Sequence, residues 1–221
     1  MATRRFVLLF NQLSSLLSIN PINVSYRIYH TEGYIIDSSV SGESNKIFTI
    51  LTSELGTIIA TAQGVRKLQS KLRYSLQDLA FAKFALVRGK DIWRITGAEK
   101  IVNIYDKKTP IQIRQSLARV LAFIKRLSPG EAVNRKVFEE FGELNKTLTS
   151  SKIIRNHNDL IAIENLAYLR ISHHFGYGTP SEELREVVYS SSWNVETRDV
   201  IVSLIDEVKR EVSIVLAETQ L

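Results

Sequence analysis

Ile47-Phe48-Thr49-Ile50-Leu51-Thr52 and, a few residues on, Ile58-Ile59-Ala60-Thr61-Ala62 are the two stretches on which the fold turns. Both are short and rich in β-branched residues, which pack well on a pleated, half-buried surface. Outward from them the pattern stays β from Tyr26 to about Ile104, with five candidate strands near 27–38, 46–52, 56–64, 79–88 and 92–102. Gly42, Gly56, Gly64, Gly89 and Gly97 fall where turns or bulges are needed. Five short strands over about 75 residues suit a small closed barrel, of either the OB or the SH3-like kind. Strand number alone does not separate the two.

The period changes after Thr109-Pro110, which reads as an N-cap followed by a first-turn proline. Ile113, Leu117, Val120, Leu121, Ile124 and Leu127 then recur at helical spacing until Ser128-Pro129-Gly130. A second helix over 131–149 carries Val133, Val137, Phe138, Phe141, Leu144 and Leu148 on one face. A third over 158–174 carries Leu160, Ile163, Leu166 and Ala167 and ends at Gly176-Tyr177-Gly178. Thr179-Pro180-Ser181-Glu182-Glu183 opens a short fourth helix, its acids at the positive end of the helix dipole. The fifth runs from Val195 to Ala217, with Ile201, Leu204, Ile205, Val208, Val212, Val215 and Leu216 as its buried stripe. The fold class is therefore α+β. An atypical extension (1–25) precedes a barrel (26–105) and an all-helical C-terminal part (106–221).

The 221 residues include no cysteine, which excludes disulfides, thiolate chemistry and cysteine-ligated zinc and is compatible with a reducing, cytoplasmic setting. No apolar run approaches the ~20 residues of a membrane span. Net charge is +6, unevenly spread. Residues 1–136 hold 21 Lys and Arg against 9 Asp and Glu, whereas 137–221 hold 8 against 14. A basic front half suits a polyanion partner; ordinary variation between two parts of a chain accounts for the numbers equally well. At the start, Arg4-Arg5 before Phe6-Val7-Leu8-Leu9-Phe10 has the outline of a signal peptide. Asn11 and Gln12 interrupt it, no small-residue cleavage site follows, and Asn20-Pro21 ends it with a turn.

The segment that carries chemistry is Gln63-Gly64-Val65-Arg66-Lys67-Leu68-Gln69-Ser70-Lys71-Leu72-Arg73-Tyr74, which joins the third and fourth strands. It holds four cations, no acid and one aromatic ring. Cations that track phosphates, with a ring on which a base can stack, are what a single-strand groove requires. Lys46, Arg88, Lys90 and Arg94 extend this surface if they project from the same side. The plain alternative is a solvated loop that binds nothing. Phe48, Trp93, Tyr34, Phe81 and Phe84 read as core, while Tyr74 sits in a polar loop where stacking and burial are balanced. A second basic group, Lys107, Lys108, Arg114, Arg119, Lys125 and Arg126, reads first as a solvated helix face.

Several of these stretches resemble the RecO family of recombination mediators. His30-Thr31-Glu32-Gly33-Tyr34-Ile35-Ile36 is similar to that family's opening strand, and Ser41-Gly42-Glu43-Ser44-Asn45-Lys46-Ile47 to its first turn. Thr52 to Gly56 fits its T-x-x-x-G step. Ala62-Gln63-Gly64-Val65-Arg66-Lys67 and Ser70-Lys71-Leu72-Arg73 resemble its basic segment. More weakly, Leu169-Arg170-Ile171 with Phe175-Gly176-Tyr177-Gly178-Thr179-Pro180 resembles an element of its helical half. The sequence departs from many members of the family in having no four-cysteine zinc site, as other zinc-less members do, and its N-terminal extension is unusual. The resemblance implies an OB barrel that binds and anneals single-stranded DNA, also binds duplex, and works with RecR to load RecA onto strands coated by the single-strand-binding protein SSB. For this sequence no cofactor, no metal and no small-molecule substrate is expected. DNA contacts are expected at Lys46, Arg66, Lys67, Lys71, Arg73, Tyr74, Arg88 and Lys90, and a contact to the SSB tail in the helices. The expected location is the cytoplasm, at the nucleoid.

Enzyme motifs do not offset this reading. His173 and His174 are adjacent and diverge on a helix, so they make a poor metal pair, and His30 and His157 stand alone. The chain has neither a phosphate-cradling Gly-rich loop nor a nucleophile elbow. Two other binding roles remain open at this stage: a protein-interaction scaffold, and an RNA-binding OB protein.

Overall fold

A computed structural model describes residues 27–104, 109–150 and 153–219. The expected N-terminal extension, and Lys107 and Lys108 of the second basic group, lie outside the described residues.

Five strands form a closed barrel: β1 (Ile28–Ser41), β2 (Asn45–Thr52), β3 (Gly56–Ala62), β4 (Ala80–Arg88) and β5 (Trp93–Asn103), in the order β1-β2-β3-β5-β4. β1 is long enough to serve two neighbours. Its first half pairs with β4 and its second with β2, around a register shift between Ile35 and Asp37. Closure comes from a short parallel contact, Ala60 opposite Trp93 and Thr61 opposite Arg94. Inward residues alternate small and large: Ala60, Ala62, Ala80 and Ala82 leave room for Phe48, Phe84 and Trp93, all buried. This topology decides the question that strand number left open, in favour of the OB arrangement.

Between β3 and β4 lies a single helical turn, α1 (Leu72–Ser75). The helices proper are α2 (Ile111–Leu127), α3 (Arg135–Ser150), α4 (His157–His174), α5 (Glu182–Tyr189), α6 (Val195–Ser203) and α7 (Ile205–Glu218). α4 is the central rod, contacting α2, α3, α5, α6 and α7. The barrel and helices share one core: Tyr34, Ile36, Leu51 and Leu79 join Leu117, Leu121, Val137, Phe141 and Ile163. Tyr34 stands at the centre of this seam, stacked on Phe81 at 4.5 Å and edge-on to Phe141 at 4.8 Å. Burial there pushes its hydroxyl pKa up to about 12. At the rim Lys125 reaches Asp37 at 2.7 Å and, through that hydrogen bond, holds the carboxyl below its ordinary pKa.

Three helix boundaries differ from the sequence reading. Pro110, not Thr109, is the N-cap of α2, without a side-chain bond. α3 starts at Arg135 because Asn134 caps it, accepting from the Val137 amide at 3.1 Å; Val133 therefore lies outside the helix and is exposed. The expected fifth helix is two, α6 and α7, broken at Leu204. At the break Ser203 Oγ donates back to the Val200 carbonyl at 2.7 Å, which also accepts the Leu204 amide at 3.1 Å. The break lets α6 dock through buried Arg198 while α7 lays Val208, Val212 and Val215 onto α4.

The α2–α3 connection lies along the free edge of β3. Thr57 donates its amide to Gly130 O at 3.0 Å and its hydroxyl to Ser128 Oγ at 2.9 Å. Gly56 is left-handed (φ 72°), and a Cβ there would stand 2.5 Å from Ala132 O. Gly56→Ala is expected to cost about 2 kcal/mol or more, since left-handed backbone alone costs an L-residue ~1–2 kcal/mol. Urea unfolding checks this; an unchanged midpoint contradicts the close approach.

Candidate nucleic-acid interface

The basic loop is a built structure rather than a loose strap. Val65 and Leu76 are buried and plug it into the barrel. The Arg66 amide donates to Ser44 O at 3.0 Å, and its Nη1 donates to Gly42 O and Glu43 O at 3.2 and 2.9 Å. Gly64 N donates to Asn45 Oδ1 at 2.8 Å. Successive turns, Lys67 N to Gly64 O, Ser70 N to Lys67 O and Arg73 N to Ser70 O, carry the chain into α1. The β1–β2 turn and the β3–β4 loop are thereby joined into one rim.

Between them opens a concavity of about 990 Å³, lined by Lys46, Arg66, Arg73 and Tyr74 together with Val65, Leu76, Gln77 and Asp78. Lys67 and Lys71 lie on the same loop, exposed and outside that lining. Tyr74 is 71% exposed and Leu68 83% exposed, so the ring that sequence left balanced between stacking and burial is presented to solvent. Lys46 is held: its Nζ donates to Ser38 Oγ at 3.0 Å, and Ser38 donates in turn to Asp78 Oδ1 at 2.5 Å. Among the described residues Arg66, Lys67, Lys71 and Arg73 have no carboxylate partner, which leaves their charge available.

Arg88 and Lys90 belong to a second place, the β4–β5 hairpin. There a concavity of about 400 Å³ is lined by Thr61, Arg88, Lys90, Asp91 and Arg94 among others. Lys90 is exposed, whereas Arg88 donates Nη1 to both oxygens of Glu131 at 2.5 and 2.6 Å and stands 4.9 Å over the Trp93 ring. Thus the eight expected residues divide between two sites that border the same end of β3. Between them runs the outer face of β2 and β3, where Ile47 pairs with Thr61, Thr49 with Ile59, and Ile59 is half-exposed. Sequence reading passed over this face because Ile59 looks like any core isoleucine until the register turns it outward.

In the second basic group, two of the described cations are paired with carboxylates. Arg119 is tied bidentately to Glu164 at 2.6 Å, and Lys125 to Asp37. The histidines do not converge: His173 packs by Tyr189 at 4.7 Å, and His174 Nε2 lies 3.5 Å from Glu140. Burial lowers the His173 pKa, with His174 and Lys136 adding to it. Among the described residues no three His, Asp or Glu side chains are placed to hold a metal. The functional-looking residues that sequence reading underrated are two fully buried arginines, Arg170 and Arg198.

An OB barrel with a cationic rim and this turn chemistry matches a known family model. Residues 27–104 fit the N-terminal part of recombination protein O. Over these residues the chain is similar to the RecO family. The chain is 32% identical over 111 residues to the DNA repair protein RecO of Dehalococcoides mccartyi (strain CBDB1), covering 50% of this chain and 44% of that one. To the RecO of Heliobacterium modesticaldum it is 34% identical over 104 residues, covering 47% and 38%. To that of Desulfitobacterium hafniense (strain DSM 10664 / DCB-2) it is 37% identical over 65 residues, covering 29% and 24%. The matched part spans less than half the length of these RecO relatives.

Proposed function

We propose that this protein is a non-enzymatic DNA-binding factor of repair and recombination, whose barrel holds single-stranded DNA. One observation carries the reading: Arg66, Lys67, Lys71 and Arg73, without a carboxylate partner among the described residues, and exposed Tyr74 share one hydrogen-bonded rim of an OB barrel. Phosphates would follow the cations, and a base would lie on the Tyr74 ring whatever its identity. The strand continues across the outer β2–β3 face, the surface OB folds use for oligonucleotides, toward Lys90 at the β4–β5 hairpin. Lys46 borders this path, and Arg88 joins it once its ion pair opens.

The names of the relatives support the repair role, and the finer assignment follows from it. The protein anneals complementary strands and, with a RecR-like partner, helps load RecA onto strands coated by SSB. The barrel (26–105) is the DNA-binding unit, duplex included. The helical part (106–221) supports partners, among them the SSB tail. It acts in the cytoplasm, at the nucleoid.

Titrating a labelled oligothymidylate at several salt concentrations tests the core of this reading. Affinity is expected to fall linearly on log–log axes, and absence of salt-dependent binding sinks it. Annealing of SSB-coated complementary oligonucleotides tests the mediator role. Tyr74→Ala is expected to weaken single-strand binding by about 1–3 kcal/mol with the salt slope unchanged, because stacking is lost and no phosphate contact is. An unchanged affinity means that the ring does not stack. A clear preference for ribose over deoxyribose would favour an RNA-binding role.

A further inference from the structure

Arg88 sits beside Lys90 and Arg94, yet it is engaged by a carboxylate from far along the chain. Glu131 lies in the connection between α2 and α3, which the Thr57–Gly130 and Thr57–Ser128 bonds hold against β3. From there its carboxylate accepts Arg88 Nη1 on both oxygens and Trp93 Nε1–H at 3.1 Å on Oε1. The Trp93 ring is itself fixed: buried to 4% exposure, edge-on to Tyr29 at 5.2 Å, with the Arg88 guanidinium over its face. A guanidinium and an indole N–H converging on two oxygens form an anion receptor. A phosphodiester offers the same two oxygens with the same charge.

We propose that Arg88 and Trp93 Nε1 are a phosphate-binding site that Glu131 occupies in the free protein, and that a backbone phosphate of bound single-stranded DNA displaces it. Three observations support exchange rather than a permanent pin. Both side chains of the pair are nearly half exposed, at 43% and 44%, so water and ligand reach it. Arg88 also lines the open hairpin concavity with Lys90 and Arg94, whose three cations outnumber the one acid there, Asp91, and favour an incoming phosphate. Finally, the connection is held to β3 by backbone and hydroxyl bonds of its own, so Glu131 can swing out without undocking it. An exposed ion pair is worth little, and a ligand that brings further contacts can replace it. The device makes the helical part a competitor of DNA: it discriminates against stray anions and admits a strand that binds at several points.

The inference rests on the single-strand reading above, and the test separates the two. The Trp93 indole N–H resonance, told from that of Trp193 by the Trp193→Phe variant, reports on its acceptor. Oligothymidylate is expected to shift it as binding saturates, whereas inorganic phosphate at equal phosphate concentration does not. Glu131→Gln, which keeps the shape and removes the charge, is expected to bind oligothymidylate up to about fivefold more tightly, the factor that releasing an exposed ion pair supplies. Its salt slope should match that of the unaltered protein, because the same phosphate is neutralised in both, whereas Arg88→Ala should flatten the slope by roughly 0.7. In Arg88→Ala protein Glu131→Gln should give no gain. An oligonucleotide that binds with the Trp93 resonance unmoved and with equal affinity for Glu131→Gln overturns the exchange and leaves the DNA-binding reading intact. Inorganic phosphate that reproduces the shift overturns the strand as the occupant. Loss of all salt-dependent binding would instead fall on the broader reading.

Discussion

Replacing Arg66, Lys67, Lys71 and Arg73 together by Ala is expected to flatten the salt dependence of single-strand binding by a log–log slope of roughly 3. Each phosphate neutralised on a single strand contributes roughly 0.7 to the slope through counterion release. All four side chains are exposed on one rim and have no carboxylate partner among the described residues. The four sites therefore account for most of the electrostatic term if they all meet the backbone. Arg66 also donates to Gly42 O and Glu43 O, so its loss could loosen the loop. A second variant isolates charge from architecture: Arg66→Lys with Arg73→Lys keeps four positive charges and is expected to retain the slope. The measurement is anisotropy of a labelled oligothymidylate between low and physiological salt. A quadruple variant with the wild-type slope would show that DNA meets the protein elsewhere.

Arg170→Ala is expected to lower global stability by about 3–5 kcal/mol, the usual result of removing one partner from a buried ion pair. Arg170 is fully buried, and its guanidinium organises three elements at once. Nη1 donates to Glu140 on α3 at 3.2 Å, Nε and Nη2 donate to Val187 O at the end of α5 at 3.0 and 2.7 Å, and Nη2 donates to Ser192 O at 3.0 Å. The Trp193 ring covers it at 4.4 Å. Burial lowers its pKa, and the Glu140 carboxylate opposes that shift. Truncation takes the guanidinium from the buried Glu140 side chain and its N–H donors from two carbonyls. By contrast Arg185→Ala, which removes only the exposed i,i+3 pair with Glu182, is expected to leave the unfolding midpoint where it is. Chemical denaturation followed by circular dichroism separates the two. Equal midpoints would mean that water or a neighbour replaces the guanidinium. Since the cluster lies in the helices, single-strand affinity of the folded Arg170→Ala protein should stay unchanged.

Local pattern carried most of the architecture. All five strands and the early helices lie close to where alternation and 3.6-residue spacing put them, because one buried face imposes its period directly on the sequence. The failures are local features that a period does not register: the Asn134 cap that delays α3, and the break at Leu204 between α6 and α7. The basic loop was legible as chemistry, since four cations and a tyrosine without an acid form a compositional signal.

What the sequence by itself determined is which segments are strand, which are helix, and where uncompensated positive charge is concentrated. These are properties of neighbours in the chain. Only the tertiary structure decided how that charge is used, because electrostatic partners are chosen in space. Among the described residues it left Arg66, Lys67, Lys71 and Arg73 without a carboxylate, gave Arg88 to Glu131 at a separation of 43 residues, and buried Arg170 and Arg198. A guanidinium reads the same in every sequence; its work is set by whether water, a carboxylate or a backbone carbonyl stands within about 3 Å of it.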